Sequence, residues 1–473
     1  MKLKGCTMKV LDFKDKRFWS LILHCGLPIA LQNLILNSVT LVDNVLIGGL
    51  GDVNIAAVGI ANKMTFIFSV FLFGVNSGVN IFSAQFWGKK DLQGVRKVLG
   101  LSLLLSLAIS LPFTIFGGFF PQFFIDIFSD DPEVIHQGAV YLRILAFSYP
   151  ILAVTMAYSI QSRGVGRTRV PLLSSIAALA SNALLDYALI YGRFGLPRLE
   201  IAGAAIATVI AIILECLVLL GIIYLNKFEL AAKPSDFRGY TKDFMMRFIG
   251  PVTPVIFNEV LWSIGVTGYT YFYGAMGTEA VATVQILDVI NSIFISLFQG
   301  LGNATGSITG NLIGSGEDET ARVYANRTVI TAGALGILTG GLLLLTTPFF
   351  LGFFDISDAT AAICRKTMFV YAAYMIPKAI NNTIIVGICR GGGDTVFAAI
   401  IDVCAPWLVG LPMAYLGVKV FALPVYFVMA MINLEELFKV ILGLIRIKSG
   451  KWLNNLVRDF RMDHEGDSLT NMS

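Results

Sequence analysis

Long apolar runs, separated by short polar gaps, constrain this chain more than any other feature. A helix needs about 20 mostly apolar residues to cross roughly 30 Å of hydrocarbon. Runs near 22–48, 55–86, 97–118, 135–160, 171–191, 201–225, 247–273, 280–312, 326–350, 362–388, 396–416 and 421–446 are long enough. Hydrophobic residues make up 56% of the chain and charged residues 14%, with a mean hydropathy of +0.75. A soluble domain carries nearer a quarter of its residues as charges, so water is not the main solvent of this one. The expected fold is an all-α integral membrane protein with twelve transmembrane helices.

The longest gap, NKFELAAKPSDFRGYTKDFMMR, divides the runs into two sets of six. This predicts an N-terminal six-helix lobe over 1–225, an inter-lobe linker over 226–247, a C-terminal six-helix lobe over 248–447 and a polar tail over 448–473. The halves also resemble each other. Adding 226 carries Pro28 onto Pro254, Asn33 onto Glu259, Asn62 onto Asp288 and Gly88 onto Gly314. Adding 227 carries Pro150, Arg163, Gly166 and Thr168 onto Pro377, Arg390, Gly393 and Thr395. Each half has an even number of crossings, so both enter the membrane from the same side and are related by a pseudo-two-fold axis along its normal. Substrate is then expected between the lobes. Lys and Arg gather in the loops on the side of the termini, including GKKDLQGVRK, SRGVGRTR, the linker and RIKSGKWLNNLVRDFR. Cytoplasmic loops are enriched in these residues, which places both termini in the cytoplasm.

Several classes are excluded on composition and spacing. The net charge of +4 comes from scattered loops rather than one basic patch, which argues against a nucleic-acid partner. The cysteines show no C-x-x-C spacing and read as buried thiols. His24, His136 and His464 form no metal motif, and the turns RGVGRT and RGGGDT lack the Gly-Lys-Ser/Thr ending of a nucleotide loop. No cleavable leader is evident.

The apolar helices carry polar stripes. Asn33, Asn37, Thr40 and Asn44 recur at helical spacing in the first run, and Gln285, Asp288, Ser292, Ser296 and Gln299 do so in the eighth. Such stripes suit either hydrogen bonding between helices or the wall of a water-filled cavity. An ionised carboxylate at the bilayer centre costs roughly 3 kcal/mol or more unless it is paired, hydrated or protonated. Asp43 lies about 21 residues from the inner start of its run and Asp186 about 15 from its own, or roughly 32 and 23 Å. Both fall in the outer half of the first lobe. Asn182 stands one turn from Asp186 on the same face. These three residues offer convergent oxygens for a proton or a sodium ion, against the plainer reading that the acids pair with Lys63 or Arg143. Glu259, after the kink of PVTPVIFNE, leaves two readings open: a contact for cationic cargo, or a partner for Lys378.

The chain resembles the multidrug and toxic compound extrusion family over roughly residues 20–450. The resemblance rests on LPIALQNLILNSVTLVDNVLIGGLGDVNIAAVGIANK, AQFWGKKD, QSRGVGRTRVP, SNALLDYALIYG and IAGAAIAT in the first half, and on GPVTPVIFNE, YGAMGTEAVA and CRGGGDT in the second. It implies a V-shaped pair of six-helix bundles that exports amphipathic, often cationic compounds against an inward flow of H⁺ or Na⁺. It further implies a cation site at Asp43, Asn182, Asp186 and Thr208. Glu259 matches a seventh-helix Glu of one sodium-driven branch, but PKAINNTIIVGI carries Lys378 where that branch has an acid. Coupling is therefore expected in the first lobe. The cargo cavity is expected along Asn33, Asn37, Glu259, Gln285 and Asp288.

The expected activity is secondary antiport at the inner cell membrane by a monomer in the lipid bilayer, with a small-molecule substrate and no cofactor beyond H⁺ or Na⁺. A flippase of lipid-linked oligosaccharides is the nearest alternative; a basic central cavity would favour it, and this sequence shows acids and amides. A membrane-embedded enzyme would need a metal or nucleophile constellation, and the chain is not expected to be an enzyme.

Overall fold

The computed structural model describes residues 14–237, 240–352 and 358–458. The chain before Lys14, most of the loop FFDISDA and the tail beyond Arg458 lie outside the described residues, as do Cys6 and His464. Span 1 is Lys16–Gly48, span 2 Asp52–Gly88 and span 3 Leu92–Phe119. Span 4 is the pair Pro132–Ala146 and Tyr149–Gly164, bent by 52°. Span 5 is Arg169–Tyr191 and span 6 Glu200–Leu225. In the second half, spans 7, 8 and 9 are Lys242–Gly274, Thr278–Gly314 and Asp318–Leu351. Span 10 runs through Asp358–Asn382 and Thr383–Arg390, span 11 from Thr395 to Val420, and span 12 is the pair Val425–Ile432 and Leu434–Ser449.

Ten of these helices are individually long and apolar enough to cross a membrane, and the bent span 4 makes eleven. Span 12 completes the twelve although it breaks at Asn433 and carries Glu435, Glu436 and Lys439. Those charges are tolerated because they are satisfied inside the lobe: Glu435 accepts from Tyr269, Glu436 from Asn381, and Lys439 donates to Asp402. Several helices begin before their apolar runs because side chains cap the first turn. Asp15 accepts from the Arg17 and Phe18 amides ahead of span 1, and Thr241 from the Phe244 amide ahead of span 7.

The sequence repeat is a repeat of contacts. A methyl group on Gly88 would lie 2.0 Å from the Asn311 carbonyl oxygen, and one on Gly314 would lie 2.0 Å from that of Gln85. Adding 226 turns the first contact into the second, so the ends of spans 2 and 8 touch each other reciprocally where only glycine fits. Likewise Gly74 of span 2 abuts Ile256 of span 7, and Gly300 of span 8 abuts Ala30 of span 1. Exchange of spans 1 and 2 for spans 7 and 8 is the signature of a two-fold axis.

The axis runs between two lobes whose first helices exchange their bases. Phe18 and Ile22 of span 1 lie in the second-lobe core, where Phe18 meets the Tyr324 ring at 5.2 Å. Their equivalents Phe244 and Phe248 of span 7 lie in the first-lobe core, where Phe248 meets Phe82 at 5.1 Å. Polar contacts reinforce the junction at this end, which carries both ends of the described chain. Arg327 pairs with Asp15 at 2.7 Å and Arg17 with Glu317 at 3.0 Å. Further in, Asn33 donates to Gln299 and Asn37 to Ser296. Among the described residues, cross-lobe hydrogen bonds reach no further than Asn37 and Ser292. Asp43 lies beyond them, towards the opposite end.

Candidate cation site

Spans 5 and 6 approach closely because IAGAAIAT presents small residues. A methyl on Gly203 would lie 2.7 Å from the Leu189 carbonyl oxygen, and Ala204, Ala205 and Ala207 are fully buried beside it. This contact leaves little room around the polar residues of span 5. Asn182 and Asp186, one turn apart, point inward at 0% and 1% exposure. Asp43 of span 1 brings its carboxyl against both of them. Thr208 of span 6 stands one turn after Ala204, whose carbonyl it bonds at 3.0 Å. Asp43, Asn182 and Asp186 are thus brought together, and Thr208 joins them only through a further residue.

Sequence reading missed a fifth. The hydroxyl of Tyr141, on the first helix of span 4, meets Thr208 and lies beside both acids. Tyr141 follows an ordinary apolar stripe, VIHQGAVYLRILA, so only its deep burial at 2% exposure distinguishes it. Asp43 Oδ1, both polar atoms of Asn182 and both carboxylate oxygens of Asp186 are buried without a hydrogen-bond partner. Each such orphan costs about 1–3 kcal/mol, more for a charged group. Neither base weighed for these acids reaches them: Lys63 Nζ lies 4.5 Å from the centre of the Phe128 ring, and Arg143 is exposed. Two carboxylates and an amide oxygen, with no Lys or Arg against them among the described residues, suit a shared proton or a small hard cation.

The second lobe corrects the expected partner of Glu259. Its carboxylate meets Arg390 at 2.6 Å, not Lys378. Arg390 also approaches Asp402 at 3.7 Å, and Asp402 accepts from Lys439 at 3.1 Å and Asn258 at 3.2 Å. Counting along a helix gives depth but not facing: Lys378, three turns from Arg390, stacks on the Tyr371 ring at 5.2 Å. Glu259 is consequently already neutralised, with its side chain 13% exposed.

The first lobe has a cluster at the matching places. Arg163 donates to Gln32 at 2.8 Å, Gln32 to Ser159 and Ser175 at 3.2 Å, and Ser175 to Glu215 at 2.7 Å. Gln32, Arg163 and Ser175 map onto Asn258, Arg390 and Asp402 under the repeat offsets. Of the remaining cavity candidates, Asn33 and Asn37 bond across the lobe junction as above. Gln285 and Asp288 are exposed on span 8, and Asp288 accepts from Tyr371 at 2.6 Å.

Comparison with known proteins agrees with this architecture. The MatE family model matches residues 28–188 and 254–416, two stretches that begin 226 residues apart, one in each lobe. YoeA of Bacillus subtilis (strain 168), described as a probable multidrug resistance protein, is 27% identical over 402 residues, covering 82% of this chain and 84% of that protein. The multidrug resistance protein NorM of Burkholderia vietnamiensis is 26% identical over 400 residues, with coverage of 82% and 84%. A crystal structure of MATE in complex with MaL6 superposes with a TM-score of 0.83 at 18% identity, covering 91% of this chain and 96% of that one. The chain belongs to the MatE family, the multidrug and toxic compound extrusion transporters.

Proposed function

We propose that this protein is a secondary antiporter of the inner cell membrane, exporting small amphipathic, cationic organic compounds in exchange for H⁺ or Na⁺. Both termini face the cytoplasm in this reading, in line with the clustering of Lys and Arg on their side. The protein acts as a monomer, since each chain contains both lobes and the junction between them.

The observation that carries the coupling assignment is the group of buried, unpartnered polar atoms on Asp43, Asn182 and Asp186. A proton or sodium ion entering from the far end removes one of the pair's two negative charges, and its departure restores the repulsion between two carboxylates. Occupancy thereby gives the outer half of span 1 two states of different charge. If those states bind cargo unequally, ion flow drives export. The exported class is supported by the names of the relatives and by the exposed acid and amides Asn37, Gln285 and Asp288 on spans 1 and 8.

The test is transport of a fluorescent cationic dye in vesicles, with pH and sodium gradients imposed separately. Export driven by one gradient identifies the ion. Failure of both gradients to drive dye movement, with active protein shown by a binding signal, would refute the antiport reading.

A further inference from the structure

The chain after span 12 is used differently from the chain after span 6. After span 6 it folds back on its own lobe. Leu230 and Ala232 enter the first-lobe core, and Glu229 pairs with Arg167 at 2.8 Å. After span 12 it crosses over. Trp452, 1% exposed, belongs to the second-lobe core, whereas Val457, 0% exposed, belongs to the first-lobe core beside Val95 and Val98.

The stretch between them is bonded to both lobes. Gln85, at the end of span 2, donates to the Asn454 carbonyl at 3.1 Å and accepts from the Leu456 amide at 2.7 Å. Lys89 donates to the Val457 carbonyl at 3.1 Å. On the second lobe, the Asn454 amide donates to the Gly392 carbonyl at 2.7 Å, and Asn455 donates to that of Ile313 at 3.0 Å. The turn RGGGDT is shaped to receive this segment. A methyl on Gly392 would lie 2.3 Å from the Trp452 carbonyl oxygen, while the matching place in the first-half turn RGVGRT is Val165.

We infer that residues 450–458 are a clasp that holds the lobes shut at the end carrying the termini, and that it must leave the first lobe before that end opens. The inference rests on the antiport reading above, in which cargo is taken up at this end and released at the other. Its physical basis is that burial of Val457 and the bonds to Gln85 and Lys89 exist only while the two lobes are together at this end. Interactions made in one of two states shift the population towards that state by their own free energy.

The test uses spin labels at Arg169 and Val396, which are exposed, equivalent under the repeat and located at the clasp end of spans 5 and 11. In a cysteine-free full-length background, pulsed dipolar spectroscopy reads the distance between the lobes. Val457→Asp and Gly392→Val should raise the longer-distance population by about tenfold, equivalent to ~1.4 kcal/mol. Gln85→Ala, which leaves every apolar side chain in place, should raise it by a smaller factor and decides the matter if the other variants do not fold. Distance distributions equal to wild type in the folded variants would overturn the clasp. The measurement needs neither cargo nor a gradient. A shifted distance in the variants while the wild-type protein exports no dye would therefore overturn the exporter reading alone, and an unshifted one with intact wild-type export the clasp alone.

Discussion

Replacing Glu259 with Gln separates a structural carboxylate from a cargo-binding one. Glu259 and Asp402 balance Arg390 and Lys439, so the cluster carries no net charge as it stands. The substitution leaves one uncompensated positive charge on Arg390, whose side chain is 3% exposed. Removing one partner of a buried pair costs about 3–5 kcal/mol. Gln can still accept a hydrogen bond and Asp402 remains within reach, so the low end, ~3 kcal/mol, is expected. At roughly 2–4 °C per kcal/mol for a unit of this size, unfolding in detergent at a fixed scan rate should move down by about 6–12 °C. Glu259→Gln combined with Arg390→Gln restores the charge balance and should recover most of that loss in a double-mutant cycle. Export of cationic and neutral dyes should fall together, in proportion to the folded protein. A wild-type unfolding temperature accompanied by selective loss of cationic cargo would refute the reasoning and return Glu259 to the cavity wall.

Further outcomes follow from the first lobe and the junction. Asp43→Asn and Asp186→Asn should insert normally yet lose gradient-driven dye export, Lys63→Met should export like wild type, and Tyr141→Phe, losing one hydroxyl contact, should slow export by roughly fivefold. The hydrogen bond from Arg17 holds the Glu317 carboxyl below its ordinary value of 4.5, so the contribution of this pair to closure is complete above that pH and fades as pH falls through the lowered value. As both side chains are partly exposed, the contribution is at most ~1 kcal/mol, and 1 M salt should reproduce the acid effect on the interlobe distance. Single cysteines at Ser235 and Leu196 should be labelled from opposite faces of sealed cells; labelling from the same face would refute the twelve-span topology.

The architecture was legible because it is written in composition and period. Twelve apolar runs became twelve crossings, and the 226-residue offset became the reciprocal contact of Gly88 with Gly314. Asp43, Asn182 and Asp186 were legible because polar residues are expensive in lipid and helical spacing fixes which of them share a face. What depends on facing between distant helices was not legible. Lys378 is the partner weighed for Glu259 in the sequence, but Arg390 lies on the same span, and only the packed structure selects it. Tyr141 and the crossing of residues 450–458 were hidden for a related reason: an aromatic residue in an apolar stripe and a short polar tail look the same whether or not they are buried.

The two halves fill equivalent inner positions differently, which bears on the coupling proposed above. In the second lobe Asp402 and Lys439 join Arg390 and Glu259 in direct ion pairs. In the first lobe Ser175 stands at the place of Asp402 and Gln32 at that of Asn258; both are neutral and carry hydrogen bonds between Arg163 and Glu215, and among the described residues no ion pair joins those two. Direct pairs of opposite charge at low exposure are costly to separate, so the second lobe is suited to move as a rigid body. Single hydrogen bonds are worth about 0.5–1.5 kcal/mol, or about 1.5–3 kcal/mol where one partner is charged, so rearranging the first lobe around span 1 costs less than breaking a buried ion pair. The unpartnered acids Asp43 and Asp186 are in that same lobe, on span 1 and on span 5, which also carries Ser175. In the proposed antiport cycle, a change of charge at the outer site would therefore act on the lobe whose inner cluster resists it less, with the ion-paired lobe as the fixed wall beside span 1.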